Sequence, residues 1–209
     1  MQKDIKLNVE GTTIEGMLSI PEKSEGLVLF AHGSGSSRFS PRNNAVARYL
    51  EGEKFATLLI DLLSEEEDMD YETRFDIGLL SKRLTAVSKW LLEYKDTKNL
   101  KIGLFGASTG AAAALITAAS PAPAIRAVVS RGGRPDLAGN VLPKVKVPTL
   151  LIVGGNDFYV LELNKEAFSM LGAHEKKLEI IKGATHLFEE PGALEEVSRL
   201  TAQWFRRNL

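Results

Sequence analysis

Ser108 lies at the centre of Gly106-Ala107-Ser108-Thr109-Gly110, between the apolar run 102–105 and the alanine-rich stretch 111–119. A strand, a tight turn and a helix in that order are the setting in which a serine becomes a nucleophile, because the turn lifts its hydroxyl clear of the backbone. Glycines are expected two residues to either side, since a Cβ there would collide with neighbouring backbone. The motif also occurs in ordinary turns and helix caps. Its interpretation therefore depends on whether the chain supplies a base and an acid.

The base must be a histidine, and the chain has three. His186 follows the strand-like segment 177–181 and precedes an amphipathic stretch, 192–208, so it occupies the loop after the last strand, where the base is expected. His174 has charged neighbours and is predicted to lie on the surface. His32 comes directly after an apolar run, and we expect it to shape the following loop. These positions select His186 as the general base.

The acid is expected after the strand that precedes the histidine's strand, in the chain order serine, acid, histidine. Residues 148–153 read as a buried strand, and Asp157 follows it in Gly154-Gly155-Asn156-Asp157. Asp136, one strand earlier, is the alternative, but it could equally serve a turn or a helix N-terminus. Glu189 and Glu190 are too close to the histidine along the chain. Asp157 is the predicted third member.

Backbone N–H groups are expected to stabilise the negative oxygen that forms when a serine attacks a carbonyl. The small-residue loop 33–37 follows a buried strand and can aim one N–H inward, and the helix after the serine offers another. We assign these two donors to Ser34 and Thr109. The alternative interpretations of the glycine-serine run are a flexible loop and a phosphate loop; the Walker type is a poor match, because it needs a lysine followed by Ser or Thr after its last glycine and the chain has Arg38 and Phe39 there.

Four segments together resemble the α/β-hydrolase superfamily and, within it, the dienelactone hydrolase family: His32-Gly33-Ser34-Gly35-Ser36-Ser37, Phe105 to Gly110, Gly154 to Asp157, and Gly183-Ala184-Thr185-His186. The resemblance runs along nearly the whole chain. It implies a mostly parallel sheet flanked by helices, acyl transfer to water, no metal and no cofactor. The enzymes that give the family its name use a cysteine nucleophile, whereas this chain has no cysteine. That departure disfavours a dienelactone substrate and favours a serine esterase.

The composition agrees with an ordinary hydrolase domain. A length of 209 residues fits one domain over 1–209, and 26 basic against 27 acidic residues give a net charge of -1. A nucleic-acid or membrane-surface partner would require a basic excess, so we expect neither. Without cysteine there are no disulfides, residues 1–5 lack the apolar core of a signal peptide, and no apolar stretch reaches the ~18 residues that span a bilayer. The expected location is the cytoplasm, and the sequence leaves the oligomeric state open.

Strands and helices alternate along the chain, the pattern of an α/β fold with a parallel sheet covered on both faces. Residues 4–9 and 12–20 read as an opening antiparallel hairpin around Gly11. The other predicted strands are 27–31, 56–60, 101–105, 125–130, 148–153 and 177–181; the predicted helices are 41–50, 74–94, 109–119, 160–171 and 192–208. The gap of about 17 residues between the strands 125–130 and 148–153 is too short for a large cap domain.

Several residues near the carboxyl ends of predicted strands could contact a substrate. The acidic segment 65–70 is predicted to be a solvated loop, or alternatively a mobile flap that disfavours anionic substrates. Arg131 could pair with one of those acids or with a substrate carboxylate. Phe158 and Tyr159, next to Asp157, could line an acyl pocket or belong to the core.

The residues together predict a carboxylesterase-type serine hydrolase that cleaves small ester or lactone substrates through an acyl-enzyme on Ser108. Its partner would be a small acyl substrate. The sequence leaves three alternatives open: a binding protein of the same fold without hydrolytic activity, an acyltransferase or perhydrolase that prefers an acceptor other than water, and an engineered serine hydrolase without a natural substrate.

Overall fold

The chain forms an eight-stranded sheet in a computed structural model that describes residues 1–9 and 11–209. The sheet order is β1-β2-β4-β3-β5-β6-β7-β8, with β1, β2 and β4 paired antiparallel and β3 to β8 joined in parallel. The strands are β1 Gln2–Val9, β2 Thr12–Ser19, β3 Gly26–Ala31, β4 Ala56–Ile60, β5 Lys101–Ala107, β6 Ile125–Arg131, β7 Thr149–Gly154 and β8 Lys176–Ile181. The predicted α/β fold class, a mostly parallel sheet flanked by helices without a large cap, is confirmed.

The residues that the structure describes include six α-helices, five of which pack on the two faces of the sheet. They are α1 Pro41–Gly52, α2 Glu65–Met69, α3 Ile77–Glu93, α4 Thr109–Ala119, α5 Phe158–Met170 and α6 Ala193–Asn208. Buried side chains of α3, α4 and α5 share one apolar core with the sheet, and those of α1 and α6 share the other. Because both faces are covered, the central strands are continuous apolar runs; every residue of β3, β4 and β7 is buried.

The register of the parallel strands brings their carboxyl ends to one edge. Ala31 pairs with Gly106, Ala107 with Arg131, and Gly154 with Ile181. The loops after β3, β5, β7 and β8 carry the predicted oxyanion donors, nucleophile, acid and base. They therefore all leave the same edge of the sheet.

The segment after β4 differs from its prediction. Residues 65–70 were expected to form a solvated loop, but Glu65–Met69 is a helix. The Ser64 side chain accepts from the Glu67 N–H, and the Glu67 side chain accepts from the Ser64 N–H, a capping box that begins the helix. The two carboxylate oxygens of Glu67 also accept hydrogen bonds from the two Nη atoms of the buried Arg83, each at 2.6 Å. The loop prediction was wrong because a five-residue helix has no apolar periodicity, although the Ser-x-x-Glu spacing signals its start.

The predicted helix 74–94 is divided in the structure: a 3-10 turn, Thr73–Phe75, precedes α3, which begins at Ile77. The segment Pro135–Lys144 had no counterpart in the predicted elements. It consists of two 3-10 stretches on either side of Gly139, whose φ of 50° and ψ of -130° are not helical. It fills the gap between β6 and β7, where a cap domain would be inserted. In the described part of the chain, no helix is both long and apolar enough to cross a membrane.

Candidate active site

Ser108 occupies a strained turn between β5 and α4. Its φ of 50° and ψ of -122° lie in a region that non-glycine residues rarely adopt. A Cβ at Gly106 would stand 2.4 Å from Ala111 Cα, and a Cβ at Gly110 would stand 2.2 Å from the Ala31 carbonyl oxygen. Both glycines are therefore required by close backbone approach, as the motif predicted. Strain of this kind persists where the surrounding structure holds it, and it concentrates at functional sites.

Neighbouring backbone fixes the serine from two sides. The Ser108 N–H donates to the Arg131 carbonyl at 3.3 Å, and the Ser108 carbonyl accepts from the Arg134 N–H at 3.0 Å. On the opposite side, a Cβ on Gly33 would lie 2.9 Å from Ser108 Cβ. Only a glycine therefore lets the loop after β3 come so close to the serine.

The predicted base and acid are hydrogen-bonded to each other. His186 Nδ1 lies 2.7 Å from Asp157 Oδ2. Asp157 is the N-cap residue of α5, but its side chain makes no capping hydrogen bond and is free for the imidazole. An ionised carboxylate only accepts, so the pair places the proton on Nδ1 and leaves Nε2 as the acceptor. The acid side chain is 14% exposed and the histidine 39%.

The two loops that carry this pair are tied together. The Asn156 N–H donates to the Ala184 carbonyl at 2.9 Å, and the Asn156 side chain donates to the Gly183 carbonyl at 3.0 Å. Glu190 accepts from both the N–H and the hydroxyl of Thr185, the residue before the histidine. These bonds hold the acid and base loops at a fixed separation.

Ser108 and His186 lie on either side of the turn that follows β6. The Ser108 N–H bonds to Arg131, and a Cβ on the next residue, Gly132, would lie 3.5 Å from His186 Cε1. Within the described residues, the Ser108 hydroxyl makes no hydrogen bond to the imidazole. Catalytic hydrogen bonds are often long before substrate binds and tighten in the reacting complex.

The loop after β3 is held by His32 and by Thr109. His32 Nδ1 donates to the Gly33 carbonyl at 2.9 Å, and its Nε2 accepts from the Leu62 N–H at 3.0 Å. Burial lowers the pKa of His32, and the two bonds require its neutral form. The expectation that His32 shapes this loop is confirmed. The Ser34 N–H, a predicted oxyanion donor, bonds to Thr109 Oγ1 at 2.9 Å.

The other acids and the third histidine lie elsewhere. Asp136 pairs with Arg134 two residues before it. Glu189 pairs with Arg42 of α1. His174 is exposed, as its charged neighbours predicted.

Arg131 differs from its predicted pairing with the acidic segment. Its side chain is 6% exposed and donates to Asn43 Oδ1 at 3.1 Å, and no carboxylate pairs with it among the described residues. Its Nε is buried and has no hydrogen-bond partner within residues 1–9 and 11–209. Burial, with a smaller effect from the Arg42 charge, lowers the pKa of Arg131 to about 10. The prediction failed because β6 directs this side chain toward α1, while Glu67 and Asp68 pair with Arg83 and Arg74.

Phe158 and Tyr159 project from the first turn of α5 and are 72% and 68% exposed. They do not belong to the core, which was one of the two sequence interpretations. The Tyr159 ring lies 5.9 Å from the guanidinium carbon of Arg134, whose N–H bonds to the Ser108 carbonyl. Tyr159 therefore lies near the serine's turn.

A cleft of about 780 Å³ opens beside the loop after β3. Ser36, Arg38 and residues 63–68 line it, but the serine, acid and base described above do not. Arg38 pairs there with Asp61 and Glu15. We place the chemistry at the strained serine, because the histidine that lines this cleft, His32, has both ring nitrogens hydrogen-bonded to backbone and is not free to act as a base. The described residues also contain no group of three or more side chains arranged to hold a metal ion.

A parallel sheet whose loops bring a strained serine and an aspartate–histidine pair to one edge defines the α/β-hydrolase fold. The model of the dienelactone hydrolase family matches residues 14–207. The chain belongs to the dienelactone hydrolase family. This family of hydrolases is the one that the motifs resemble, so that resemblance is confirmed.

Solved structures agree. Over 100% of this chain and 98% of the other, the structure superposes with a TM-score of 0.95 and 52% identity on a dienelactone hydrolase from Anabaena variabilis. Est1E from Butyrivibrio proteoclasticus gives a TM-score of 0.83 at 16% identity, covering 98% of each chain. The second likeness shows the fold alone.

Curated relatives carry a different description. A Mycobacterium tuberculosis protein described as "Putative phosphoribosyl transferase" is 56% identical over 192 residues, which are 92% of this chain and 43% of the relative. The chain thus spans less than half the length of the curated relatives it matches.

Proposed function

We propose that the protein is a serine carboxylesterase that cleaves small ester or lactone substrates. The observation that carries the proposal is the positive-φ turn at Ser108, a conformation that costs a non-glycine residue free energy and that concentrates at functional sites. The hydrogen-bonded Asp157–His186 pair at the same edge supplies a base already in the required tautomer. Family membership supports hydrolysis as the class of reaction.

The reaction follows two acyl-transfer steps. Ser108 Oγ attacks the ester carbonyl carbon while His186 Nε2 takes its proton, and Asp157 holds the resulting imidazolium at Nδ1. The carbon–oxygen bond to the leaving group breaks as the imidazolium returns that proton to the departing oxygen. Water then attacks the acyl-enzyme by the same route and releases the acid and the free serine.

The developing oxyanion needs hydrogen-bond donors beside the serine. The Thr109 N–H belongs to the first turn of α4, where N–H groups have no partner within the helix and the helix dipole favours negative charge. The other predicted donor, the Ser34 N–H, is bonded to Thr109 Oγ1. It must either be released when substrate binds or act through that hydroxyl.

Three side chains are proposed to contact the substrate. Phe158 and Tyr159 are exposed beside the acid and would pack on the acyl group. Arg131 has no carboxylate partner among the described residues, and a substrate carboxylate is the ligand to which its guanidinium would donate hydrogen bonds.

Ser108→Ala tests the proposal. Hydrolysis of short-chain nitrophenyl esters is expected to lose nearly all of its rate while the melting temperature is kept. An alanine variant that retains turnover would refute the nucleophile assignment.

Phosphoribosyl transfer is a second candidate because of the relatives' description. The dienelactone hydrolase family covers most of this chain, and the chain covers 43% of the relative. We infer that the described activity belongs to the other part of those longer proteins. Release of diphosphate from phosphoribosyl diphosphate by this chain would contradict that inference.

A further inference from the structure

The residue after the proposed nucleophile has a buried hydroxyl with an unused hydrogen. Thr109 is 1% exposed, and its Oγ1 accepts the Ser34 N–H at 2.9 Å. A threonine hydroxyl can accept two hydrogen bonds and donate one. Within the described residues, no acceptor receives the Thr109 hydroxyl hydrogen.

This hydroxyl lies where two expected donors converge. Thr109 Oγ1 is in the direction in which the Ser34 N–H points, since the two form a hydrogen bond. The Thr109 N–H belongs to the same residue, at the start of α4. The loop that carries Ser34 is pressed against the serine, because a Cβ on Gly33 would stand 2.9 Å from Ser108 Cβ. A hydrogen on Oγ1 therefore turns about the Cβ–Oγ1 bond beside the nucleophile.

We propose that the Thr109 hydroxyl is a catalytic group that donates a hydrogen bond to the oxyanion, while the Ser34 N–H acts through it. The inference rests on the proposed serine hydrolysis and names a group that performs it. As the carbonyl oxygen gains negative charge, the Oγ1 hydrogen turns toward it, and no covalent bond to that hydrogen forms or breaks. Because Oγ1 accepts from the Ser34 N–H, the hydroxyl is polarised and becomes a better donor.

Thr109→Val tests this role, since valine keeps the shape and removes the hydroxyl. Loss of one oxyanion donor typically lowers kcat by about 10²–10³-fold, and we expect that loss on a nitrophenyl ester with KM changed less than about threefold. Thr109→Ser, which keeps the hydroxyl, should have a kcat at least tenfold higher than that of Thr109→Val. Affinity for a trifluoromethyl ketone, which forms a tetrahedral adduct on serine, should fall in Thr109→Val by a factor similar to that in kcat/KM.

The opposite result has a clear meaning. The Thr109 hydroxyl could instead only engage the Ser34 N–H, which the oxyanion needs as a donor. In that case Thr109→Val frees this N–H and kcat stays the same or rises, which overturns the proposal. A serine variant as slow as the valine variant also overturns it, because the methyl group would then be the important part.

Thr117→Val is the matched control. Thr117 lies on the same helix, is equally buried, and donates its hydroxyl to the Ser81 carbonyl at 3.3 Å. It should lower the melting temperature without lowering kcat; a comparable kcat loss in this control would mean that loss of a buried hydroxyl on α4 acts through the fold. If wild type forms no fluorophosphonate adduct at Ser108, the proposed function itself fails, and this outcome differs from all of those above.

Discussion

Asp157→Asn is the change that tests the acid most sharply. The asparagine keeps the size of the side chain, but its amide can donate to His186 Nδ1 and force the proton onto Nε2, where it blocks the base. The present bond is 2.7 Å long and the acid is 14% exposed, so little water screens it.

The expected loss can be estimated from this geometry. An aspartate-to-asparagine change in a serine protease triad lowers kcat by about 10⁴-fold. Here His186 is 39% exposed, so water stabilises part of the imidazolium charge. We therefore expect a loss of about 10³-fold, which is ~4 kcal/mol of transition-state stabilisation.

The assay is kcat for a short-chain nitrophenyl ester at saturating substrate, with Asp136→Asn as the matched control. Asp136 is bonded to Arg134 rather than to the histidine, so its variant should lie within about threefold of wild type. If Asp136→Asn loses as much activity as Asp157→Asn, or more, the assignment of the acid is refuted.

Three other outcomes are expected. Arg83 lowers the pKa of Glu67 from 4.5 to about 2, so this pair stabilises the fold above about pH 4.5 and stabilises it less as the pH falls toward 2. Glu67→Gln should lower the free energy of unfolding in urea by about 2 kcal/mol at pH 7. A difference in unfolding free energy that grows at low pH would contradict this sign. Arg131→Met should lower kcat/KM for esters that carry a free carboxylate at least tenfold more than for neutral esters, and equal effects would refute the proposed contact. Phe158→Ala and Tyr159→Ala should reduce the gain in kcat/KM as the acyl chain lengthens; an unchanged gain would place the acyl group elsewhere.

The fold could be predicted from local patterns because each central strand is a continuous apolar run. β4 and α4 have the predicted bounds, 56–60 and 109–119, and the other strands and helices that were predicted begin and end within three residues of their predictions. The turn at Ser108 was also predictable from a local pattern. Its two glycines are needed because backbone close in sequence, or on the neighbouring strand, leaves no room for a Cβ.

Contacts between side chains distant in sequence could not be predicted in this way. Glu67 meets Arg83 sixteen residues away, and Arg131 meets Asn43 eighty-eight residues away. The hydrogen bond from the Ser34 N–H to Thr109 Oγ1 joins residues seventy-five positions apart. The sequence pattern predicted that both residues lie near the oxyanion, but it did not show that the Ser34 N–H is hydrogen-bonded to the Thr109 hydroxyl. A threonine directly after the serine was the available signal, because its hydroxyl must lie near the donors.

An activated nucleophile at Ser108 is the basis of the proposed hydrolysis. Intact-mass spectrometry after incubation with a fluorophosphonate tests it, with Ser108→Ala as the control. We expect one adduct on the wild-type protein and none on the variant. An unlabelled wild type, or an adduct that persists on Ser108→Ala, would contradict it.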